Sequence, residues 1–201
     1  MEARQLVLRC FTDRLPTSVP WVCSRVSAAG RTDIFIVDPA WNAEFPQANT
    51  LIHSIVAATL VRGVHAASKF KRFEVTVLLG DDVMNSQLHY RARGRAADVA
   101  VLYFAQIPAS FSSRRSDCKC LGCIALAREA LLHEAKNCQL SLSHHLASTV
   151  IDAVLALLGH ADGEARAQVA HAIRRDLEFG NAGFGGSPVR STAGEEKRLH
   201  P

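Results

Sequence analysis

The stretch that decides the reading of this chain is His144-His145-Leu146-Ala147-Ser148-Thr149-Val150-Ile151-Asp152-Ala153-Val154-Leu155-Ala156-Leu157-Leu158-Gly159-His160-Ala161-Asp162. Leu146, Val150, Ala153-Val154 and Leu157-Leu158 recur at helical spacing and make a broad apolar face, which predicts a central helix over about 144–158. Asp152 and Ala156 stand four apart and so project from one side of that helix. Asp162 lies beyond Gly159, where the chain can return toward the helix, and its place before Gly163-Glu164-Ala165 also suits the N-cap of a further helix. His144-His145 read as polar residues at a helix start, and His160 as a surface or groove histidine.

Working outward, the flanking text alternates strand and helix patterns. Residues 32–38 and 73–79 are short β-branched and aromatic runs that predict strands, with further strands over 99–104 and 121–126. Leu51-Ile52, Ile55-Val56, Leu60 and Val64 give a helix over 47–66, and Gly80-Asp81-Asp82 offers an N-cap to another over about 82–91. Helices over about 127–138 and 163–178 bracket the central one, and 105–117 reads as a Pro/Ser/Arg loop. The result is an α+β domain over about 32–178. No internal repeat is visible.

The ends read differently. Residues 1–31 set Arg4, Arg9, Arg14, Arg25 and Arg31 among Ser, Thr and apolar residues, with only Glu2 and Asp13 acidic. That is the composition of a mitochondrial transit peptide or of an ordinary basic extension, with Leu8, Phe11 and Leu15 on one face of a helix that Pro16 and Pro20 would end. Residues 179–201 form a Gly-rich, mixed-charge tail with too little apolar content to fold alone, expected to be disordered or partner-bound. The hydrophobic fraction of 48% suits a globular protein, and no apolar run approaches the roughly 20 residues of a membrane helix. Six cysteines without a secretory signal argue for reduced thiols. A formal charge of +4 permits an acidic partner such as RNA without demanding one.

The quoted stretch resembles the zinc motif H-G-x-L-H-L-x-G-Y-D-H of the YbeY family of rRNA-maturation endoribonucleases. Aligning Leu155, Leu157 and Gly159 without gaps sets Asp152, Ala156 and Asp162 where the family carries its three zinc-ligand histidines, and His160 where it carries Tyr. Further pieces follow in family order. Val77-Leu78-Leu79-Gly80-Asp81-Asp82 resembles V-L-L-x-D-D, and Leu88-His89-Tyr90-Arg91-Ala92-Arg93-Gly94-Arg95 resembles L-N-x-x-Y-R-G-K. Val101-Leu102-Tyr103-Phe104 stands for V-L-S-F and Leu121-Gly122-Cys123-Ile124 for L-G-D-I. The body is most similar to the alphaproteobacterial form. The resemblance covers about residues 32–178 and implies a mixed four-stranded sheet packed with helices. It also implies rRNA maturation, partners among small-subunit platform proteins and an Era-type GTPase, and Arg93 beside the catalytic groove.

Three kinds of chemistry are then open. A catalytic zinc needs three protein ligands and an open position for water; Ala156 can supply no ligand, so zinc is not expected. Asp152 and Asp162, with His160, leave a carboxylate site for a harder cation as the alternative. Cys118, Cys120 and Cys123, with Cys138 as a fourth, could hold zinc or an iron–sulfur cluster, although in a regular strand Cys123 would point away from the first two. Lys69, Lys71, Arg72, Arg91, Arg93, Arg95, Arg114 and Arg115 are candidates for rRNA phosphate contact. The expected function is a catalytically degenerate binding or scaffold factor in mitochondrial small-subunit assembly, located in the matrix, with no membrane partner. The alternative is an active metal-dependent single-strand endoribonuclease in rRNA 3′-end processing.

Overall fold

Alternating apolar runs and helical stripes resolve into β1 (Trp21–Val26), β2 (Gly30–Ile36), α1 (Ala40–Glu44), α2 (Ala48–Gly63), β3 (Arg72–Gly80) and α3 (Asp82–Arg93), then β4 (Val101–Ala105), β5 (Cys118–Ala127), α4 (Arg128–Asn137), α5 (Leu142–Leu158) and α6 (Glu164–Gly180). The structure, a computed structural model, describes residues 21–64, 68, 70–105 and 118–180. Strand order is β1-β2-β3-β5-β4, with β2, β3 and β5 parallel and the two outer strands antiparallel to their neighbours.

The sheet therefore has five strands, not the four expected. The additional strand, β1, lies in the stretch that composition assigned to a basic extension. Ser27 and Gly30 close a tight hairpin, Ser27 N–H donating to the Gly30 carbonyl at 2.7 Å. This turn lays residues 21–26 along the outer edge of β2, where main-chain groups would otherwise be unpaired. Ser24 and Arg25 interrupt the apolar alternation, which is why the strand is hard to read from sequence.

Strand alternation divides the core in two. Ile34, Val77, Leu79, Ile124 and Leu126 face α2 and α5, packing on Ile52, Ile55, Val56, Val150 and Val154. On the other face Leu78, Leu102, Cys123 and Ala125 pack on Leu88 of α3. The predicted central helix is α5, which packs on α2, α4, α6 and the sheet. Ser141 caps it, its hydroxyl accepting from His144 N–H at 3.3 Å, and Gly159 ends it. The short helix α1, not anticipated, is anchored by Trp41, whose buried indole N–H donates to the Gly80 carbonyl at 2.9 Å. Among the described residues no single helix is long and apolar enough to cross a membrane.

One irregularity bears on the cysteines. Glu74 pairs with Cys120 but Val75 with Gly122, so Leu121 is an extra residue that bulges β5. Gly122 adopts φ +140°, and a Cβ there would stand 2.0 Å from the Phe104 carbonyl oxygen; only glycine fits. The bulge shifts the alternation, and Cys123, opposite Thr76, comes to the same sheet face as Cys120, opposite Glu74. The expectation of a regular strand with Cys123 pointing away is corrected by that one inserted residue.

Candidate functional site

Asp152 and Ala156 lie part-buried on α5, and Asp162 lies in the turn before α6. What gathers them is arginine. Arg166, in the first turn of α6, donates from one guanidinium nitrogen to the Asp152 carbonyl at 2.5 Å and from the other to the Asp162 carboxylate. Arg174, two turns further on, pairs with the Asp152 carboxylate at 3.5 Å. The helix starts at Glu164, so Asp162 is too early to cap it, and its carboxylate meets the i+4 arginine instead. His160 donates from Nε2 to the Gly63 carbonyl at 2.6 Å, fastening the end of α5 to the end of α2. His145 pairs with Glu134 of α4 at 3.0 Å.

This donor set does not fit zinc. Ala156 offers nothing, the Asp162 side chain is 90% exposed and paired, and Asp152 faces a guanidinium. Among the described residues no three His, Cys, Asp or Glu side chains stand together as a metal-holding group, the cysteines included. Cys118 and Cys120 are part-buried near the start of β5, Cys123 is buried, and Cys138 is exposed at the end of α4. Burial, with the neighbouring Cys120 thiol adding to it, pushes the Cys123 thiol up to about 12, so it stays protonated at neutral pH.

The basic candidates occupy another part of the molecule. Asp81 caps α3, accepting from Met84 N–H at 2.7 Å, and the helix ends at Gly94 in the left-handed conformation, φ +73°. Beyond that turn, buried His89 donates from Nδ1 to the Arg95 carbonyl at 2.7 Å and folds the loop back on the helix. Asn85, also buried, donates to the Val99 carbonyl at 3.0 Å and closes the loop at its other end. Arg91, Arg93 and Arg95 all project into solvent. α3 covers one sheet face and α5 the other, so the sheet separates the helix carrying Arg91 and Arg93 from the helix carrying Asp152 and Ala156. Lys71 and Arg72 are exposed at the start of β3. Lys69, Arg114 and Arg115 lie outside the described residues, as do the helix expected around Leu8 and all of the 179–201 tail beyond Gly180, where α6 ends.

Sequence reasoning missed Arg166 and Arg174. It also missed Arg128, 14% exposed, which joins Asp38 at 2.8 Å, Glu44 at 2.7 Å and Glu129 at 2.5 Å. That hub ties the end of β2, α1 and the start of α4 together. A basic residue opening a helix next to Glu129 is the only signal the sequence carries for it.

Comparison with known proteins matches residues 41–176 to the family model for endoribonuclease YbeY. The chain is 29% identical over 129 residues to an endoribonuclease YbeY of Bartonella henselae, covering 64% of this chain and 77% of that one. It is 26% identical over 147 residues to one of Rhodopseudomonas palustris, covering 73% and 85%. The solution structure of TM1509 from Thermotoga maritima matches 74% of this chain and 90% of that one, with a TM-score of 0.49 and 14% identity. With the family model spanning well over half of its length, the chain belongs to the YbeY endoribonuclease family.

Proposed function

We propose that this chain is a catalytically degenerate YbeY-like protein that serves as a binding or scaffold factor in mitochondrial small-subunit ribosome assembly and rRNA maturation. The observation that carries this reading is the Arg166–Arg174 pair. The carboxylates at two of the three aligned ligand positions are engaged by guanidinium groups of the same chain, and the third position has no donor. Fold and chemistry are separable, so a member that gives up the metal can keep the docking role. Arg91, Arg93 and Arg95 supply the complementary half, contacting rRNA phosphates. The transit-peptide-like composition of residues 1–31 and the likeness to alphaproteobacterial relatives support the mitochondrial matrix as the location. Small-subunit platform proteins and an Era-type GTPase are the protein partners that follow.

The test is particle association. Arg91→Glu/Arg93→Glu/Arg95→Glu is expected to release the protein from small-subunit precursors on a gradient, while Asp152→Ala is expected to stay bound and leave rRNA 3′ ends mature. If the arginine variant stays bound and Asp152→Ala alone blocks 3′-end processing, the endoribonuclease reading replaces this one.

A further inference from the structure

The outer face of α3 carries a feature that phosphate contact does not use. Tyr90 is 59% exposed, and Val83, two turns earlier on the same face, is 62% exposed. Beside Tyr90 lies an open cavity of about 370 Å³ lined by Ser86, Gln87, Tyr90, Arg91 and Ala96. That volume falls within the roughly 300–1,000 Å³ of small-ligand pockets. Four of its five lining residues stand on the helix, and the loop carrying Ala96 is held back by the His89 bond to the Arg95 carbonyl. Among the described residues Arg91, Arg93 and Arg95 take part in no ion pair, whereas Arg31, Arg62, Arg128, Arg166 and Arg174 all do. Between residues 83 and 99 the only acid is Asp98. An exposed aromatic ring among uncompensated cations is complementary to a ligand with a flat π-face and a negative backbone.

We propose that this cavity is a nucleobase subsite for single-stranded RNA. The Tyr90 ring stacks on one unpaired base, Gln87 and Ser86 present hydrogen-bonding groups to its edge, and Arg91, Arg93 and Arg95 hold the flanking phosphates. Bases in a duplex are already stacked and cannot reach a side chain in this way, so the subsite selects loops and ends. The inference rests on the reading of the arginines as RNA contacts given above.

The experiment is fluorescence anisotropy on the full chain with a labelled single-stranded RNA decamer and a duplex of the same length. Tyr90→Ala is expected to weaken single-strand binding about tenfold. It is expected to leave duplex binding and the salt dependence unchanged, while Tyr90→Phe retains affinity. Thermal melts of both variants are expected to match the parent, the position being exposed. If Tyr90→Ala binds the single strand like the parent while the triple-Glu variant loses it, the stacking subsite is wrong and the phosphate reading stands. If neither variant changes binding, the RNA reading of the arginines fails with it. Equal losses in Tyr90→Ala and Tyr90→Phe overturn stacking. Unchanged RNA affinity with loss of a protein partner from particles makes the patch a protein contact and overturns the proposal.

Discussion

Arginine does opposite things on the two faces of this sheet. On the α5–α6 side, Arg166 and Arg174 are turned inward onto Asp152 and Asp162, and the positive charge is consumed within the chain. On the α3 side, Arg91, Arg93 and Arg95 end a helix and enter a pinned loop in which Asp98 is the only acid, and they form no ion pair among the described residues. The first arrangement is closed and ties two helices together; the second is open, and on the proposed reading it meets the RNA backbone. The difference lies less in the number of basic residues than in whether a carboxylate stands within reach, one helical turn away for Arg166 and on the neighbouring helix for Arg174.

The largest expected effect breaks the open side. Arg91→Glu/Arg93→Glu/Arg95→Glu should lower RNA affinity by about 100-fold or more at low salt and reduce the slope of log K against log salt by about 2 for a single strand. Stability should move by no more than about 0.5 kcal/mol, since these side chains are solvated. Anisotropy titrations at several salt concentrations, with a denaturant melt, check both. A large loss of stability would mean the arginines are structural and the two sides are alike.

The next effect concerns a buried titratable group that belongs to neither side. His53 of α2 is buried with no hydrogen-bond partner on either ring nitrogen. Burial, and secondarily the Arg25 guanidinium, hold its imidazole down at about 4, with Asp33 opposing weakly. The unfolded chain takes up that proton near 6.5, so between about 6.5 and about 4 the unfolded state binds more protons and stability falls as pH falls. The slope from this group is at most about 1.4 kcal/mol per pH unit, and above 6.5 its contribution is constant. His53→Leu should flatten that limb of the stability–pH curve. An unchanged curve would show that His53 finds a partner in solution.

On the closed side, Arg166→Met should cost about 1 kcal/mol, because it removes a bond that ties α6 to α5, while the Asp152 carbonyl keeps its place in the α5 hydrogen-bond ladder. RNA affinity should not change. If it falls as far as in the triple-Glu variant, the closed arginine also contacts RNA and the comparison dissolves.

How much of this was legible in the sequence follows from the range of each interaction. The α5 helix was, because Leu146, Val150 and Leu157 carry a local period. So were the three inner strands and the basic run at 91–95. The β1 strand was not, since Arg25 faces solvent and breaks the pattern. The bulge at Leu121 adds one residue without altering composition, so the facing of Cys120 and Cys123 could not be read from spacing. Arg166 and Arg174 reach Asp152 across fourteen and twenty-two residues by the way two helices pack. No local pattern encodes that packing.

The smallest expected effect decides what the closed side is. The Asp162 carboxylate is 90% exposed, and an ion pair in that setting is worth less than about 0.5 kcal/mol after screening and side-chain ordering. Asp162→Asn should therefore leave the melting curve almost unmoved. A metal would give the opposite result. Ligand bound only by the folded state stabilises it by RT ln(1 + [L]/Kd), about 2.7 kcal/mol at one hundred times Kd. A zinc site built on Asp162 would raise the melting temperature on zinc addition and lose that rise in Asp162→Asn. The expected result is no rise in either protein, with Arg166 holding the place of the cation. A zinc-dependent rise that Asp162→Asn abolishes would return the site to metal chemistry and make the arginine pairing one state of a switchable centre.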